Sequence, residues 1–251
     1  NTLIIFIQGD NGGSAEGGEQ GFMYEQSFLN RYEDDFSYFL SKIDEIGGSN
    51  LYQNFSAGWA WATNTPFQYF KQFSSHLGGV RNGMVISWPS QIRSPGGLRE
   101  QFLHVSDVVP TILESVDVKL PNGVNGVEQI PMDGISFCYT LNEGNAPSRR
   151  QTQVFEVGQN LGIYHEGWWA NTQPSKMPWE LTVPGNVPIA DREWELYNLD
   201  DDFSQSRDLA KVEPDRLKEL QSLFWKKASD ANILPLHDIS VGLNGKPTLG
   251  N

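Results

Sequence analysis

A continuous apolar segment, Thr2–Ile7, constrains the fold more than any other feature of this 251-residue chain. Its aliphatic and aromatic side chains follow one another without polar alternation, which is typical of a strand covered on both faces in a parallel sheet. Such a strand needs partner strands, so we expect a central position in an α/β domain. Because domains rarely begin inside a central strand, we also expect the chain to be a portion of a longer protein.

The charge balance limits the classes of partner. The chain has 31 Asp and Glu residues against 18 Lys and Arg, a formal net charge of −13. Nucleic acids attract proteins with clustered basic residues, so we expect no nucleic acid partner. No apolar run approaches the roughly 20 residues that cross a bilayer, and we expect no membrane span. The opening residues lack the features of a signal peptide, and a single cysteine, Cys138, excludes an intrachain disulfide, so composition leaves the compartment open.

Strands and helices alternate in the first half of the sequence. A glycine-rich loop, residues 8–18, follows the first strand at the end where open α/β sheets bind ligands. Helical spacing predicts an amphipathic helix over 36–46, and 80–88 is typical of a second buried strand that stops before a proline. A capping residue and an early proline then predict a helix beginning near Ser106.

The second half has a different texture. Short aromatic segments at 153–157, 162–169 and 194–199 are separated by Pro and Gly, which predicts a small antiparallel sheet. Pro214 begins a helix with one apolar face, which we expect to pack on that sheet. The face is formed by Leu217, Leu220, Leu223 and Phe224.

These patterns predict three regions along the chain. Residues 1–145 are interpreted as the C-terminal part of an α/β core, and 146–232 as a small antiparallel α+β subdomain. Residues 233–251 show no periodicity, so we expect an irregular tail.

Asp10 and Asn11 are adjacent oxygen donors at the end of the first strand. A carboxylate beside a carboxamide suits a hard cation such as Ca²⁺ or Mg²⁺, and the flanking glycines let the backbone approach an ion closely. Two donors cannot hold a metal by themselves, and Asp-Asn-Gly-Gly in isolation is more often a turn.

Four segments, in order, resemble type I sulfatases of the alkaline-phosphatase-like superfamily, in particular bacterial arylsulfatases. Residues 1–17 are similar to the strand and metal-binding Asp-Asn-Gly segment of that family. Residues 64–89 carry Asn-Thr-Pro-Phe, then Lys71, His76 and Gly-Gly before a strand that ends in Pro. Residues 105–114 and Glu195–Leu199 are similar to two further landmarks.

The resemblance implies both a fold and an activity. It implies part of an alkaline-phosphatase-like α/β core with a small C-terminal antiparallel sheet and helix. It also implies a calcium-dependent sulfuric ester hydrolase, with Mg²⁺ as an alternative ion, whose nucleophile is a formylglycine made from Cys or Ser. In that family Asp10 and Asn11 would bind the metal, Lys71 would contact the sulfate, and His76 would contact substrate or donate a proton to the leaving group. A periplasmic or secreted location is implied as well.

The sequence departs from the family pattern in two ways. The usual His-Glu-Gly-Gly is here His76-Leu77-Gly78-Gly79, and the spacing from Lys71 to Gly-Gly is one residue longer. More importantly, Cys or Ser followed by x-Pro-x-Arg does not occur, and Cys138 has no proline two residues on, so it is interpreted as a buried small hydrophobe. We therefore predict half of a metal and sulfate site with no nucleophile, completed by an upstream half, and no turnover by this chain alone.

Alternative functions stay open at this point. A phosphomonoester, phosphodiester or phosphonate hydrolase of the same superfamily would use the same metal and lysine. A non-catalytic module could bind glycans through the tryptophans of Trp168-Trp169 and Trp59-Ala60-Trp61. For the sulfatase that the resemblance implies, the expected partner is a small sulfate ester or a sulfated glycan.

Overall fold

The computed structural model describes residues 1–30, 32, 35–180 and 187–236, which fall into two compact units. The first unit combines residues 1–7 with 84–153, and the second combines 8–83 with the chain from 154 onward. In chain order the helices and strands are β1 (Ile4–Ile7), α1 (Glu25–Leu29), α2 (Phe36–Ser41), α3 (Ala57–Asn64), α4 (Leu77–Val80), β2 (Met84–Ser87), α5 (Val108–Ser115), β3 (Gly123–Val124), β4 (Val127–Glu128), β5 (Thr152–Val157), β6 (Asn160–His165), β7 (Trp168–Thr172), β8 (Trp194–Asn198) and α6 (Pro214–Asp230).

The first unit contains the apolar strand β1, whose partner is β2. The two strands pair in antiparallel fashion, with Ile4 opposite Ser87 and Ile7 opposite Met84. The expectation of a buried strand in a parallel sheet is therefore wrong for the described residues: the pairing is antiparallel, and Phe6 is 58% exposed. A continuous apolar run indicates that other elements pack on both faces of the strand, but it carries no information about the direction of the partner strand.

The helix expected from Ser106 is present in the first unit. A 3₁₀ turn, Val105–Asp107, leads into α5. The backbone N–H of His104 donates to Asp107 Oδ2 at 2.9 Å, so the carboxylate closes the turn before the helix. Asp107 is fully buried and also accepts from the backbone N–H of Ile135 at 2.7 Å and from the guanidinium of Arg150. The residue predicted only as a helix start is thus the centre of a buried ion pair.

The second unit contains the four-stranded sheet, in the order β5-β6-β7-β8. β7 pairs in antiparallel fashion with β6 and β8, so the predicted antiparallel sheet is confirmed. One detail differs, because the segment 162–169 predicted as a single strand contains a tight turn between β6 and β7. Glu166 and Gly167 have φ of 47° and 83°, and a left-handed pair of this kind reverses the chain.

Helix α6 packs on this sheet as its apolar spacing predicts. Leu220, Phe224 and Ala228, four residues apart, are fully buried against apolar side chains of β6, β7 and β8. Leu217 and Leu223 are partly buried at the edge of the same core. Burial of a large apolar side chain stabilises the fold by about 1.5–3 kcal/mol, so this cluster is a main source of cohesion for the second unit.

Other predictions on the chain have mixed outcomes. The helix expected over 36–46 is α2 followed by a 3₁₀ turn, Ile43–Glu45, and Asp35 caps α2 by accepting from the backbone N–H of Tyr38 at 2.8 Å.

Most of the tail lies outside the described residues, although Ile233 packs against the α6 core. The domain boundary near 145 stays a prediction, while the compact units join residues 8–83 to the C-terminal sheet. Among the described residues, no helix has the length and apolar character needed to cross a bilayer.

Candidate metal and anion site

The glycine-rich loop after β1 is held by backbone contacts with a second glycine segment. The N–H of Gly12 donates to the carbonyl of Gly79 at 3.1 Å, and the N–H of Gly13 donates to Asn64 Oδ1 at 2.9 Å. A Cβ atom on Gly12 would lie 1.7 Å from the carbonyl oxygen of Gly78, which leaves no room for any side chain. The glycines therefore let the two segments approach closely and fix the loop in place.

Lys71 is attached to this same loop through its backbone. Its N–H donates to the carbonyl of Gly13 at 3.0 Å, three residues after Asp10. Its ammonium lies 3.2 Å from Glu16 Oε2, and the side chain is 35% exposed. The structure thus brings the predicted sulfate-contacting lysine onto the loop that carries the predicted metal ligands.

Asp10 and Asn11 precede the tightly held glycines of the loop. Asp10 is exposed and Asn11 is partly buried. Their carboxylate and carboxamide oxygens have the chemistry of a hard-cation site, but they supply two of the six to eight oxygens that Ca²⁺ prefers. Within the described ranges no group of three or more His, Cys, Asp or Glu residues is close enough to hold a metal. The pair fits calcium as part of a donor set and needs further ligands.

His76 is buried rather than open to solvent. Its side chain is 1% exposed, and its ring centroid lies 4.4 Å from that of Tyr69. Nε2 is 3.1 Å from Glu195 Oε2, and Nδ1 is 2.9 Å from the hydroxyl of Ser75. A carboxylate can only accept, so Nε2 carries a proton and both ring nitrogens are engaged. A catalytic role for His76 stays a prediction; what the geometry shows is a link to β8.

Glu195 is the centre of this second network. Besides His76, it accepts from Asn171 Nδ2 and from Gln173 Nε2, each at 2.9 Å. Burial by itself would raise the pKa of the carboxyl, but the hydrogen bonds from His76, Gln173 and Asn171 outweigh it and hold the pKa below its usual range. Gln205 extends the network, because its Nε2 donates to Asn171 Oδ1 at 3.4 Å and its Oε1 accepts from the backbone N–H of Leu77 at 2.7 Å.

Sequence reasoning found Glu195 only as a landmark and did not assign a function to Asn171 or Gln205. The only signal for Glu195 was its position in a strand rich in aromatic residues. That position does not predict which residue the carboxylate contacts. His76 and Glu195 are 119 positions apart, and only the folded chain places them together.

The remaining residues singled out from the sequence lie elsewhere. Cys138 is partly buried, its Sγ is 3.4 Å from the carbonyl of Thr111, and burial raises the pKa of the thiol. Trp169 is fully buried, with its indole N–H donating to the carbonyl of Ser75 at 2.8 Å. Trp59 is 66% exposed and Trp61 is 42% exposed. Of the two tryptophan pairs considered for glycan binding, one has a member that is inaccessible and the other is open.

Comparisons with known proteins find a family match in the first part of the chain. Residues 1–118 match the family model described as Sulfatase. All four predicted site residues, Asp10, Asn11, Lys71 and His76, lie inside that match.

Three individual relatives also carry the name of a sulfatase. The chain is 26% identical over 247 residues to an uncharacterized sulfatase of Schizosaccharomyces pombe, covering 97% of this chain and 41% of that protein. It is 27% identical over 137 residues to the arylsulfatase of Klebsiella aerogenes, covering 55% of this chain and 27% of that protein. An N-acetylgalactosamine-6-O-sulfatase of Bacteroides thetaiotaomicron is 25% identical over 167 residues, covering 64% and 30% of the two chains. The chain therefore spans less than half the length of these relatives.

One solved fold is similar over most of the chain. The crystal structure of Ps i-CgsB in complex with k-i-k-neocarrahexaose aligns with a TM-score of 0.54 and 17% identity, covering 91% of this chain and 36% of that one. A second crystal structure of Ps i-CgsB aligns with a TM-score of 0.52 and 18% identity over the same shares. At this level of identity the likeness concerns the fold.

Proposed function

We propose that this chain supplies the Asp-Asn loop and the anion-binding lysine of a sulfatase, a sulfuric ester hydrolase, as a C-terminal portion of an alkaline-phosphatase-like enzyme. One observation carries the proposal: the backbone of Lys71 is hydrogen-bonded to Gly13, in the loop that presents Asp10 and Asn11. A metal-binding and an anion-binding group on two hydrogen-bonded segments suit the hydrolysis of an anionic ester. The sulfatase family match over the same residues supports this assignment.

Each residue has a role that follows from its chemistry. Asp10 and Asn11 would hold Ca²⁺, or Mg²⁺, and that ion would supply positive charge that stabilises the charge developing on the sulfuryl group. Lys71 offers a partly exposed ammonium that stabilises the negative charge spread over those oxygens as the ester bond breaks. Buried His76 holds the Lys71 segment against β8 through Glu195, whether or not it also reaches the substrate. The nucleophile of the proposed enzyme is a formylglycine supplied by sequence outside residues 1–251.

The substrate class is a sulfate ester, carried by a small molecule or by a sulfated glycan. The names of the relatives support this range, since one is an arylsulfatase and another is an N-acetylgalactosamine-6-O-sulfatase. Substrate choice in such folds depends on loops around the site, so the sugar or aryl group stays open.

The test is hydrolysis of 4-nitrophenyl sulfate by the native protein with a mature nucleophile. Lys71→Ala should lower kcat/KM on the order of a hundredfold or more, because it removes a charge contact that strengthens in the transition state. Lys119→Ala, at an exposed lysine outside the site, is the matched control and should leave the rate unchanged. The isolated 251-residue chain should show no turnover, because a covalent step needs its nucleophile. Full activity of the Lys71→Ala protein would contradict the proposal.

A further inference from the structure

Glu16 is the nearest charged neighbour that the structure gives to Lys71. Its Oε2 lies 3.2 Å from the Lys71 ammonium and accepts from the Ser14 hydroxyl at 3.3 Å. Its Oε1 accepts from Gln72 Nε2 at 2.9 Å. Three side chains therefore hold this carboxylate beside the proposed anion-binding lysine, and neither the metal nor the nucleophile assignment gives it a task.

The ion pair contributes little to the stability of the fold. Lys71 and Glu16 are 35% and 37% exposed, and pairs of that kind typically stabilise a protein by about 0–1 kcal/mol. The consequence for ligands is larger, since an anion on the ammonium would lie within roughly 6 Å of the Glu16 carboxylate, given one hydrogen bond to Lys71. At that distance the carboxylate repels the anion in proportion to the charge of the anion.

We propose that Glu16 is a specificity residue that disfavours dianionic ligands at Lys71 and so favours monoanionic esters. This rests on the proposed function, because it takes Lys71 as the anion ligand. A sulfate ester carries one negative charge, whereas a phosphate monoester carries close to two above its second pKa of about 6. The two groups are similar in shape, so a fixed charge separates them where sterics cannot.

The expected size follows from the charges alone. For unit charges roughly 6 Å apart in a solvent-exposed site, Glu16 should weaken binding of a monoanion by about threefold and binding of a dianion by that factor squared, about tenfold. Removing the carboxylate should therefore strengthen the two ligand types unequally. A purely structural effect on the loop would change both by the same factor.

Titration calorimetry on the native protein at pH 8 tests this with three probes. Methyl sulfate and dimethyl phosphate are monoanions, and methyl phosphate is a dianion at this pH. Glu16→Gln keeps the size and the acceptor oxygen of the side chain and removes its charge. Binding of methyl phosphate should strengthen about tenfold, and binding of each monoanion about threefold. Every variant is compared with the wild-type protein in one buffer, so a contribution from bound cation common to all of them cancels.

Two further variants separate the possible failures. Glu19→Gln removes the same charge from an exposed position just after the same loop and should change all three affinities by less than twofold. Lys71→Gln should abolish binding of all three probes. If Lys71→Gln leaves binding intact, the proposed anion site is wrong and the inference falls with it. If Lys71→Gln abolishes binding but Glu16→Gln strengthens mono- and dianions equally, the site stands and the charge selection by Glu16 is refuted.

Discussion

Two carboxylates, Asp107 fully buried in the first compact unit and Glu195 partly buried in the second, have different kinds of partner. Asp107 in the first unit accepts hydrogen bonds from the guanidinium of Arg150, whose Nε lies 2.9 Å and 3.2 Å from the two carboxylate oxygens. Glu195 in the second unit accepts hydrogen bonds from the ring of His76 and from two side-chain amides. Arginine is charged at every pH a protein meets, whereas histidine is charged only when protonated. The first pair is therefore a fixed element of structure, whereas the second is a hydrogen-bond network that holds a histidine.

Their positions sharpen the difference. Asp107 closes the turn before α5, and its partners all stabilise that turn and the segment around residue 135. The Glu195 network instead holds His76, five residues after Lys71. Damage to the first pair should thus appear as lost stability, and damage to the second as altered geometry of the Lys71 segment as well.

The largest effect is expected from Asp107→Ala. Removal of one member of a buried pair leaves the Arg150 charge and two backbone donors without their acceptor, which should lower the free energy of unfolding by about 3–5 kcal/mol. Urea unfolding of the variant and the wild-type protein measures this difference. Glu128→Ala, at an exposed carboxylate of the same unit, is the matched control and should change stability by less than about 0.5 kcal/mol. A small loss in Asp107→Ala would show that the pair is not a fixed structural element.

A smaller loss is expected from Glu195→Ala. Its partners are neutral amides and a histidine, so the free energy of unfolding should fall by about 2 kcal/mol, in the range for hydrogen bonds to a charged group. Glu195→Gln keeps one acceptor oxygen and should lose about half as much. Urea unfolding is again the measurement, with the exposed Glu193→Ala as the control. If the proposed function is correct, Glu195→Gln should also raise KM for an aryl sulfate, which Asp107→Asn should not do. Equal effects of the two substitutions on KM would contradict the statement that only the Glu195 network affects the geometry of the Lys71 segment.

Sequence patterns predicted those parts of the molecule that depend on local periodicity. Helix α6 was predicted because Leu220 and Phe224 share one face, and that face fixes where the helix packs. The direction of the partner of β1 was predicted wrongly, because an apolar run is the same in parallel and antiparallel pairs. In the candidate site, Asp10 and Asn11 were singled out by their oxygen donors after the first strand, and the resemblance added Lys71 and His76; the roles of all four stay predictions.

The partners of those residues could not be predicted, since they come from distant parts of the sequence. Glu16 is 55 positions from Lys71, and Glu195 is 119 positions from His76. Nothing in the local pattern distinguishes either carboxylate from the many exposed ones in a chain with 31 Asp and Glu residues. Long-range ion pairs become visible only when the packing of the sheet and the glycine contacts of the loop are known.

The smallest expected effect is a pH dependence that both carboxylates share. For Asp107, as for Glu195, burial by itself would raise the pKa, but hydrogen bonds from Arg150 and the backbone outweigh it and hold the pKa below its usual range. A carboxyl with a lowered pKa in the folded state adds stability that is fully present above its unfolded pKa, about 3.9 for Asp and 4.3 for Glu. Between the two values the unfolded chain binds more protons, so this stability is lost as the pH falls through the folded pKa.

Urea unfolding between pH 7 and pH 2.5 should therefore show two stability gaps that close in acid. The deficit of Asp107→Asn relative to wild type, and that of Glu195→Gln, should be constant above about pH 5 and shrink below about pH 4. The Asp107 deficit should persist to lower pH, because a guanidinium and two backbone donors should hold the proton off more firmly than two side-chain amides and a histidine do. Deficits that stay constant down to pH 2.5 would mean that folding does not change proton uptake, so that neither carboxyl has a lowered pKa in the folded protein. A Glu195 deficit that outlasts the Asp107 deficit would reverse the order that the two sets of partners predict.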